Sequence, residues 1–593
     1  MFILKDTVIT GLTENGKQQK ELTIPSFVTA IGKSAFRGAS ALEKVVFADG
    51  SKLESVGDSA FRDCVNLEEI TLPETVNTVG ELAFYNTKQT KYDKLYEKNV
   101  AKKKYYAPKW TYEFMGEDVL PIGAYIEPSV GHFAKDVELD VNIKEFKESG
   151  CNLMICIGQS RWGTTKEHYH EIFALLEKYG VMAMVKDELE NDKLDYETAK
   201  AGGHASLAGW HVVDEPGTSL WTKEHILYVT KDLRENPNAG PRTICRTDEH
   251  DEWNKKYPRK LYYVNLLPVN SPKEAFVLGA EDWCVEQSRG EFWEKQGYGK
   301  LAEPEYYYRT YMDNFKPEVF SYDFYPLWAN GLGCNAHLFY PELNGRHFEQ
   351  LATVRRYCQD RNIQKYGEEI PFWNFVEISG WGNSRSGARL PIMSEVEWQI
   401  NTAFAFGSKG YQYFCYNDYG DPSGQDLPSD GTTRETPVNR DGTINEDVYA
   451  MVRLANGRAQ AMGEWILNST VDHIIQVGEN PNDEIISAES FVPCDKDFKW
   501  SLKSSEGKNH LISCRKYYAN NNDYVEGVEG DTREMYLVCN NSNRALNNGE
   551  ITLRFKKKVK GKYIYDKKEK EFCGKTLTVA TAAGEAFAVL LDK

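Results

Sequence analysis

The 593-residue sequence holds no apolar run near the roughly 18 residues that a helix needs to span a bilayer. Its first residues, MFILKDTVIT, lack a basic stretch followed by an apolar core, so no secretion signal is expected there. The 12 cysteines include no Cys-x-x-Cys pair, and several lie in apolar runs, such as Cys156 in NLMICIG and Cys415 in YQYFCY. Buried free thiols are expected, not a disulfide framework or a zinc site. Basic charge is in deficit: 71 Lys and Arg against 88 Asp and Glu leave a net −17. That balance excludes a protein that tracks phosphate backbones. The 11 histidines show no metal-ligand spacing, and neither a metal nor a cofactor is expected. His168 and His170, two apart on an expected helix, point to different faces. Gly32-Lys33-Ser34 and Gly574-Lys575-Thr576 end like phosphate loops, but Phe27 and Glu569 stand where the earlier glycine must be. Gly158-Gln159-Ser160 runs on into Arg161 and Trp162, so there is no nucleophile elbow.

What is present describes a globular chain, 41% hydrophobic and 27% charged. The length predicts about four domains, or three if one is a barrel. The 13 Trp, 35 Tyr and 27 Phe suit flat, polar-edged ligands such as sugars, and equally suit large cores.

Residues 1–87 repeat. Ala35-Phe36, Ala60-Phe61 and Ala83-Phe84 are spaced by 25 and 23 residues. Ile31-Gly32, Val56-Gly57 and Val79-Gly80 share those spacings, and Leu42, Val45 and Phe47 correspond to Leu67, Ile70 and Leu72. Such a period means a solenoid whose units stack their apolar faces. The stretch IPSFVTAIGKSAFRGASALEKVVF resembles the leucine-rich repeats of bacterial surface proteins. The resemblance implies adhesion or protein contact, and a location outside the cell or on its surface. A rigid spacer is the alternative. Residues 88–118 read as a basic linker, carrying Lys88, Lys91, Lys94, Lys98, Lys102, Lys103, Lys104 and Lys109. It would dock on an acidic face of its own chain or bind a polyanion.

Residues 119–468 change pattern. Short apolar runs at 121–128, 151–158, 180–187, 207–214, 261–268, 319–326, 371–377 and 408–416 alternate with amphipathic stretches. In one of these, Ile172, Leu175, Leu176 and Tyr179 follow i, i+3, i+4, i+7; Phe348, Leu351, Val354 and Cys358 nearly do. Eight strands alternating with helices predict a closed (β/α)8 barrel, with RTICRT at 242–247 inside an insertion. In residues 469–593, Met535, Leu537 and Cys539, then Ile551, Leu553 and Phe555, then Phe587, Val589 and Leu591 alternate with their neighbours. Turn clusters NNNDY, NNSNR and NNGE separate them, which reads as an antiparallel β-sandwich. The expected fold is thus a multidomain α/β chain: solenoid, barrel, sandwich.

Active sites of such barrels lie at the carboxyl ends of the strands. Those ends supply Arg161 and Trp162, Lys186, Asp214 and Glu215, Asn265, Tyr322, Asp323 and Tyr325, Glu377 near Trp381, and Tyr416 with Asn417. Carboxylates, aromatics and amides converge there. Glycosidic hydrolysis needs one carboxylic acid to protonate the leaving oxygen and a second carboxylate to attack the anomeric carbon or activate water. Glu215 and Glu377, just past the apolar cores of strands four and seven, are the pair expected to do this. The remaining residues would bind an oligo- or polysaccharide.

GWHVVDEPG at 209–217, PFWNFVEIS at 371–379 and EWQINTAFAFGSKGYQYFCY at 397–416 resemble the clan of retaining (β/α)8-barrel glycosidases that includes β-galactosidases. The resemblance implies that Glu215 is the acid/base and Glu377 the nucleophile, acting on a β-linked glycan. The clan usually has Asn before the acid/base, where it binds the 2-hydroxyl; here Asp214 stands there. Two rival readings are a non-catalytic glycan-binding surface protein and a barrel aldolase using Lys186.

Overall fold

The computed structural model describes residues 1–32, 34–57, 60–62, 64–76, 78–79, 83–84, 87–88, 119–125, 139–157, 166–186, 205–218, 260–269, 271, 275–276, 304–315, 317–327, 341–361, 369–383, 386–388, 390–417, 435–439, 442–477, 498–504, 510–518, 532–542 and 548–592. The chain forms two compact units. One takes in residues 1–106 with 356–369, the other 107–355 with 370–593. The segment 242–247, assigned to an insertion, and all of 88–118 beyond Lys88 lie outside the described residues.

The first unit is a solenoid. Glu21–Ile24, Lys44–Phe47 and Glu69–Ile70 pair in parallel, one strand per repeat. Ala30–Ile31, Ser55–Val56 and Thr78–Val79 form a second parallel ladder, begun by the hairpin Phe2–Lys5 with Val8–Leu12. The Ala-Phe pairs tie consecutive turns together. Phe36 N–H donates to the Ala60 carbonyl at 2.8 Å, and Phe61 N–H to that of Ala83 at 2.7 Å. Their rings stack at 4.6 Å (Phe36 on Phe61) and 5.2 Å (Phe61 on Phe84). Each turn thus covers the aromatic of the turn before it.

In the second unit a closed parallel barrel runs β1 (Ile122–Tyr125), β2 (Leu153–Ile157), β3 (Met182–Lys186), β4 (Leu207–Asp214), β5 (Leu261–Leu266), β6 (Phe320–Tyr322), β7 (Phe372–Glu377) and β8 (Gly410–Phe414). All eight expected strands occur where the apolar runs placed them, and in chain order around the barrel. The expected strand 319–326 is shorter, because the chain leaves the sheet after Tyr322 and carries Asp323 to Tyr325 into a loop. Helices α1 (Leu139–Glu148), α2 (Lys166–Tyr179), α3 (Pro304–Phe315), α4 (Pro341–Arg355), α5 (Met393–Phe406) and α6 (Glu446–Leu467) alternate with or follow the strands. Phe348, Leu351 and Val354 of α4 are buried, as their spacing predicts. Gly407 ends α5 in the left-handed conformation, φ 108°, which leaves two residues to enter β8. The barrel interior is filled by Leu153, Ile155, Met184, Ala208, Leu261, Tyr263, Trp373 and Phe375.

The C-terminal strands are β9 (Ser469–Val477), β10 (Phe498–Ser504), β11 (His510–Tyr518), β12 (Thr532–Asn540), β13 (Gly549–Tyr565), β14 (Lys568–Thr581) and β15 (Ala586–Leu591). They form one antiparallel sheet, ordered β9-β11-β12-β15-β13-β10 with β14 beside β13. The 17-residue β13 pairs with β10 near its start and β15 near its end, so a single strand serves both halves. Ile512, Val538, Ile551, Leu553, Phe587 and Val589 share the enclosed core. Met535, Leu537 and Cys539 face away from it and are buried as well, where α5 lies on β12. Trp398 of α5 donates its ring N–H to Asn541 Oδ1 at 2.9 Å. Arg458 of α6 joins Glu397 (2.6 Å), Asp566 (3.0 Å) and Glu585 (2.9 Å). Among the cysteines whose side chains are described, six are buried and Cys573 is exposed, and these seven are free thiols; the side chain of Cys156 lies outside the described residues. No described helix is long and apolar enough to cross a membrane.

Candidate active site

The site is built on the carboxyl ends of β4 to β8. In β4, His211 pairs with Tyr263 in register, Val213 with Val264 and Asp214 with Asn265, so residue 212 is an extra residue against β5. This bulge resets the alternation. Without it, residues three apart would point to opposite faces; with it, His211 and Asp214 both face the interior. Gly209 permits the close approach, since a Cβ there would stand 2.3 Å from the Leu261 carbonyl oxygen. Asp214 Oδ1 accepts from Asn265 Nδ2 at 3.0 Å, and Oδ2 from the Tyr125 hydroxyl at 3.3 Å. His211 Nε2 lies 4.0 Å from Asp214 Oδ1.

Glu215 follows with φ +43°, a left-handed conformation that costs a non-glycine residue about 1–2 kcal/mol. Its surroundings hold it there. Its N–H donates to the Asn265 carbonyl at 2.8 Å, and the Tyr307 hydroxyl of α3 donates to the next carbonyl, that of Pro216, at 2.7 Å. Strain at one carboxylate of a barrel mouth is the kind that functional sites retain. The side chain of Glu215 is half-buried.

Glu377 closes β7 and is fully buried. Its Oε2 accepts from the Leu327 N–H at 3.1 Å. Gln399 of α5 fixes its backbone from behind. Glu377 N–H donates to Gln399 Oε1 at 2.9 Å, and Gln399 Nε2 donates to the Glu377 carbonyl at 3.2 Å.

A polar chain crosses the barrel beneath these residues. Gln412 of β8 meets the Tyr263 hydroxyl and Ser321 Oγ, each at 2.6 Å, and Ser321 Oγ donates to Asn265 Oδ1 at 3.1 Å. Asn265 in turn donates to Asp214. The amides and hydroxyls are thereby oriented from β8 through to β4. The aromatic wall is made by Tyr125, Phe375, Phe414 and Tyr325; the Tyr325 ring lies 5.5 Å from Phe414 and 6.2 Å from Phe375. Burial, with the nearby Asp323, Glu215 and Asp214 carboxylates, raises the Tyr325 hydroxyl well above its usual pKa. Burial, then Asp214, pushes Asp323 up to about 7.

Of the residues singled out in the sequence, the structure brings together Asp214, Glu215, Asn265, Asp323 and Tyr325, and sets Glu377 at the same end of the barrel. Tyr322 is elsewhere: it shares the outward face of β6 with Phe320 and packs 6.4 Å from Phe372. Tyr416 also turns into the wall, its ring 4.9 Å from Phe146 of α1. Asn417 is buried in a bridge to Val438. Lys186 and Trp381 occupy strand positions, but their side chains lie outside the described residues, as do Arg161 and Trp162 altogether. Sequence reasoning missed Tyr125, His211, Tyr263, Ser321, Gln399 and Gln412. Gln399, just before INTAFAF, and Gln412 within GYQYF were legible as polar residues in largely apolar segments. Among the described residues no group of three His, Cys, Asp or Glu could hold a metal ion.

Residues 14–107 match the BspA-type leucine-rich repeat region, in six copies. No curated protein matches the chain. Among solved structures it is similar to a β-galactosidase from the psychrophilic Marinomonas ef1, with 13% identity and a TM-score of 0.36 over 62% of each chain. The match therefore spans less than two thirds of that enzyme's length. It is also similar to a catalytic mutant of a GH42 β-galactosidase from G. stearothermophilus, with 8% identity, 83% of this chain, all of that one and a TM-score of 0.40. A third is a β-galactosidase from Bacillus circulans sp. alkalophilus, with 9% identity, 80% of this chain, 99% of that one and a TM-score of 0.36.

Proposed function

We propose that this protein is a glycoside hydrolase that cleaves a β-linked glycan with retention of configuration. The observation that supports this best is the pair of differently treated glutamates at one end of a closed barrel. Glu377 is hydrogen-bonded through Oε2 and fixed at its backbone by Gln399, and a nucleophile needs to be held in place in this way. Glu215 is half-exposed on a strained turn among other carboxylates, where it can be protonated and reach a leaving group. In the first step Glu377 attacks the anomeric carbon while Glu215 gives its proton to the departing oxygen. In the second, Glu215 takes a proton from the water that releases the sugar from Glu377. Asp214, Asn265 and Tyr325 would contact the sugar. Asp214 accepts hydrogen bonds from Asn265 and Tyr125, so it would receive a hydroxyl proton where an asparagine would both give and receive.

Glu215→Gln and Glu377→Gln, assayed on aryl β-glycosides, test the reading. Loss of turnover in both, with small anions restoring Glu215→Gln on activated substrates, supports it. Turnover unchanged in either contradicts it. A second reading, a glycan-binding barrel without turnover, draws on the complete burial of Glu377. Glycan binding by the wild type with no hydrolysis would favour that one. The repeat region would hold the protein to a partner at the cell surface.

A further inference from the structure

The hairpin of β13 and β14 carries charge of the opposite sign to the rest of the chain. Residues 554–575 hold ten Lys and Arg against three Asp and Glu, in a protein of net −17. The two strands pair in two stretches with a break between them. Arg554 stands opposite Thr576, and the next pair is Val559 with Gly574. Phe555, Lys556, Lys557 and Lys558 therefore bulge out opposite one residue, Lys575. On its other side β13 pairs with β10 as far as Phe555 and with β15 from Gly561, so the bulge lies in the gap between those partners. Asp592 follows β15 there, its N–H donating to the Lys560 carbonyl at 2.9 Å.

All four lysines of the bulge are exposed. Among the described residues, Lys557, Lys558 and Lys575 meet no carboxylate. The three acids of the hairpin are engaged toward its far end. Asp566 meets Arg458 of α6 at 3.0 Å, Glu569 meets Lys562 at 2.7 Å, and Glu571 stands opposite Lys562 in register. Like charges set against each other across a ladder destabilise a sheet. Lysines on an edge strand also guard it against pairing with other chains, and β14 is such an edge. That role accounts for Lys575 but not for Lys556, Lys557 and Lys558, which belong to the strand inside. A bulge of uncompensated lysines kept at a cost to the fold calls for an anion.

We propose that this lysine bulge binds an acidic polysaccharide, a sugar chain carrying carboxylate or sulfate groups. The choice of a sugar chain over another polyanion rests on the hydrolase reading and on the rings beside the bulge. Phe572, half-buried, stacks 6.2 Å from Phe555, which opens the bulge, and Tyr563 meets Phe572 at 6.4 Å. Such rings take the apolar face of a sugar while the ammonium groups take its anions.

The test measures binding of the full chain to dextran sulfate and to polygalacturonate, with neutral dextran as the uncharged match. Wild type should bind the acidic chains and not dextran, and a change from 50 to 200 mM salt should weaken binding roughly 30-fold. Lys556→Gln, Lys557→Gln and Lys558→Gln combined should weaken it about tenfold or more, with a melting temperature unchanged or raised. Lys5→Gln, Lys17→Gln and Lys52→Gln combined, the same loss of charge in the solenoid, should leave it unchanged. Equal weakening by both triple variants overturns the site, because net charge alone would then govern binding. No binding by wild type overturns it too, and so does tighter binding to duplex DNA or to phosphatidylglycerol vesicles than to either acidic glycan. If wild-type protein turns over no β-glycoside, the hydrolase reading fails while the preference for acidic over neutral chains still decides this one.

Discussion

The solenoid and the barrel mouth are assembled by opposite strategies. In the solenoid, residues about one repeat apart touch. Phe36, Phe61 and Phe84 stack in chain order, and the Cys64 thiol donates to the Phe36 carbonyl 28 residues back. In the mouth, contacts join remote stretches: Asn265 to Asp214 across 51 residues, Tyr125 to Asp214 across 89, Gln412 to Tyr263 across 149. Local periodicity therefore writes the first unit, and ring closure writes the second. A defect in a repeat should spread to its neighbours through stacking. A defect in the mouth should spread through hydrogen bonds to the glutamates and leave the fold standing.

The largest expected effect is at the mouth. Glu377→Gln should reduce kcat on aryl β-glycosides by roughly 10^4-fold or more, about 5 kcal/mol, with little change in melting temperature. Next comes the middle of the aromatic stack. Phe61→Ala should destabilise the solenoid by about 3–5 kcal/mol, read as a separate early transition in calorimetry, with turnover unaffected. Joint loss of turnover would show the two units to be coupled. Gln399→Leu sharpens the contrast, because among the described residues its side chain meets the mouth through Glu377. It leaves the buried N–H and carbonyl of Glu377 without these partners and should cost about 1–3 kcal/mol, with kcat falling more than KM.

A pH experiment separates the two regions further. The Asp323 carboxyl has a folded-state pKa raised to about 7 by burial and Asp214, above its unfolded value near 4. Its contribution to stability is complete below the unfolded value and is lost as pH rises toward 7. Asp323→Asn should therefore raise the melting temperature of the second unit at pH 8 relative to wild type, and change it little at pH 4. His347 and His510, lowered by burial to about 3 and about 4, work the other way: their contribution is present above 6.5 and lost on acidification. The smallest effect is local. Gly38→Ala, at φ 70° with open space around it, should cost the solenoid about 1 kcal/mol in denaturant titration.

The same division explains what was legible in the sequence. Repeated Ile/Val-Gly and Leu-x-x-Val/Ile patterns mark the described repeat strands from 30 to 79, and apolar runs between polar bounds mark the eight barrel strands, because burial imposes period on residues close in the chain. The strand-end positions of Glu215 and Glu377 were legible for the same reason: each follows an apolar strand core. Tyr322 was misplaced because alternation on a three-residue strand could not be counted from sequence. Ser321, its neighbour, is the one that faces inward. The bulge in β4 was likewise invisible, so His211 went unnoticed although it shares the interior with Asp214. Tyr125, Gln399 and Gln412 acquire meaning only when the barrel closes and brings them beside β4 and β7. Polar residues inside apolar segments were the available signal, and they marked the network without naming its partners.

The most direct measurement is to trap the sugar on the enzyme. Full-length protein would be incubated with 2-deoxy-2-fluoro β-glycosides carrying a good leaving group, and the labelled peptide identified by mass spectrometry. A retaining site gives one fluoroglycosyl adduct, carried by Glu377. An adduct on any other carboxylate, or glycoside turnover that survives Glu377→Gln, would contradict the assignment.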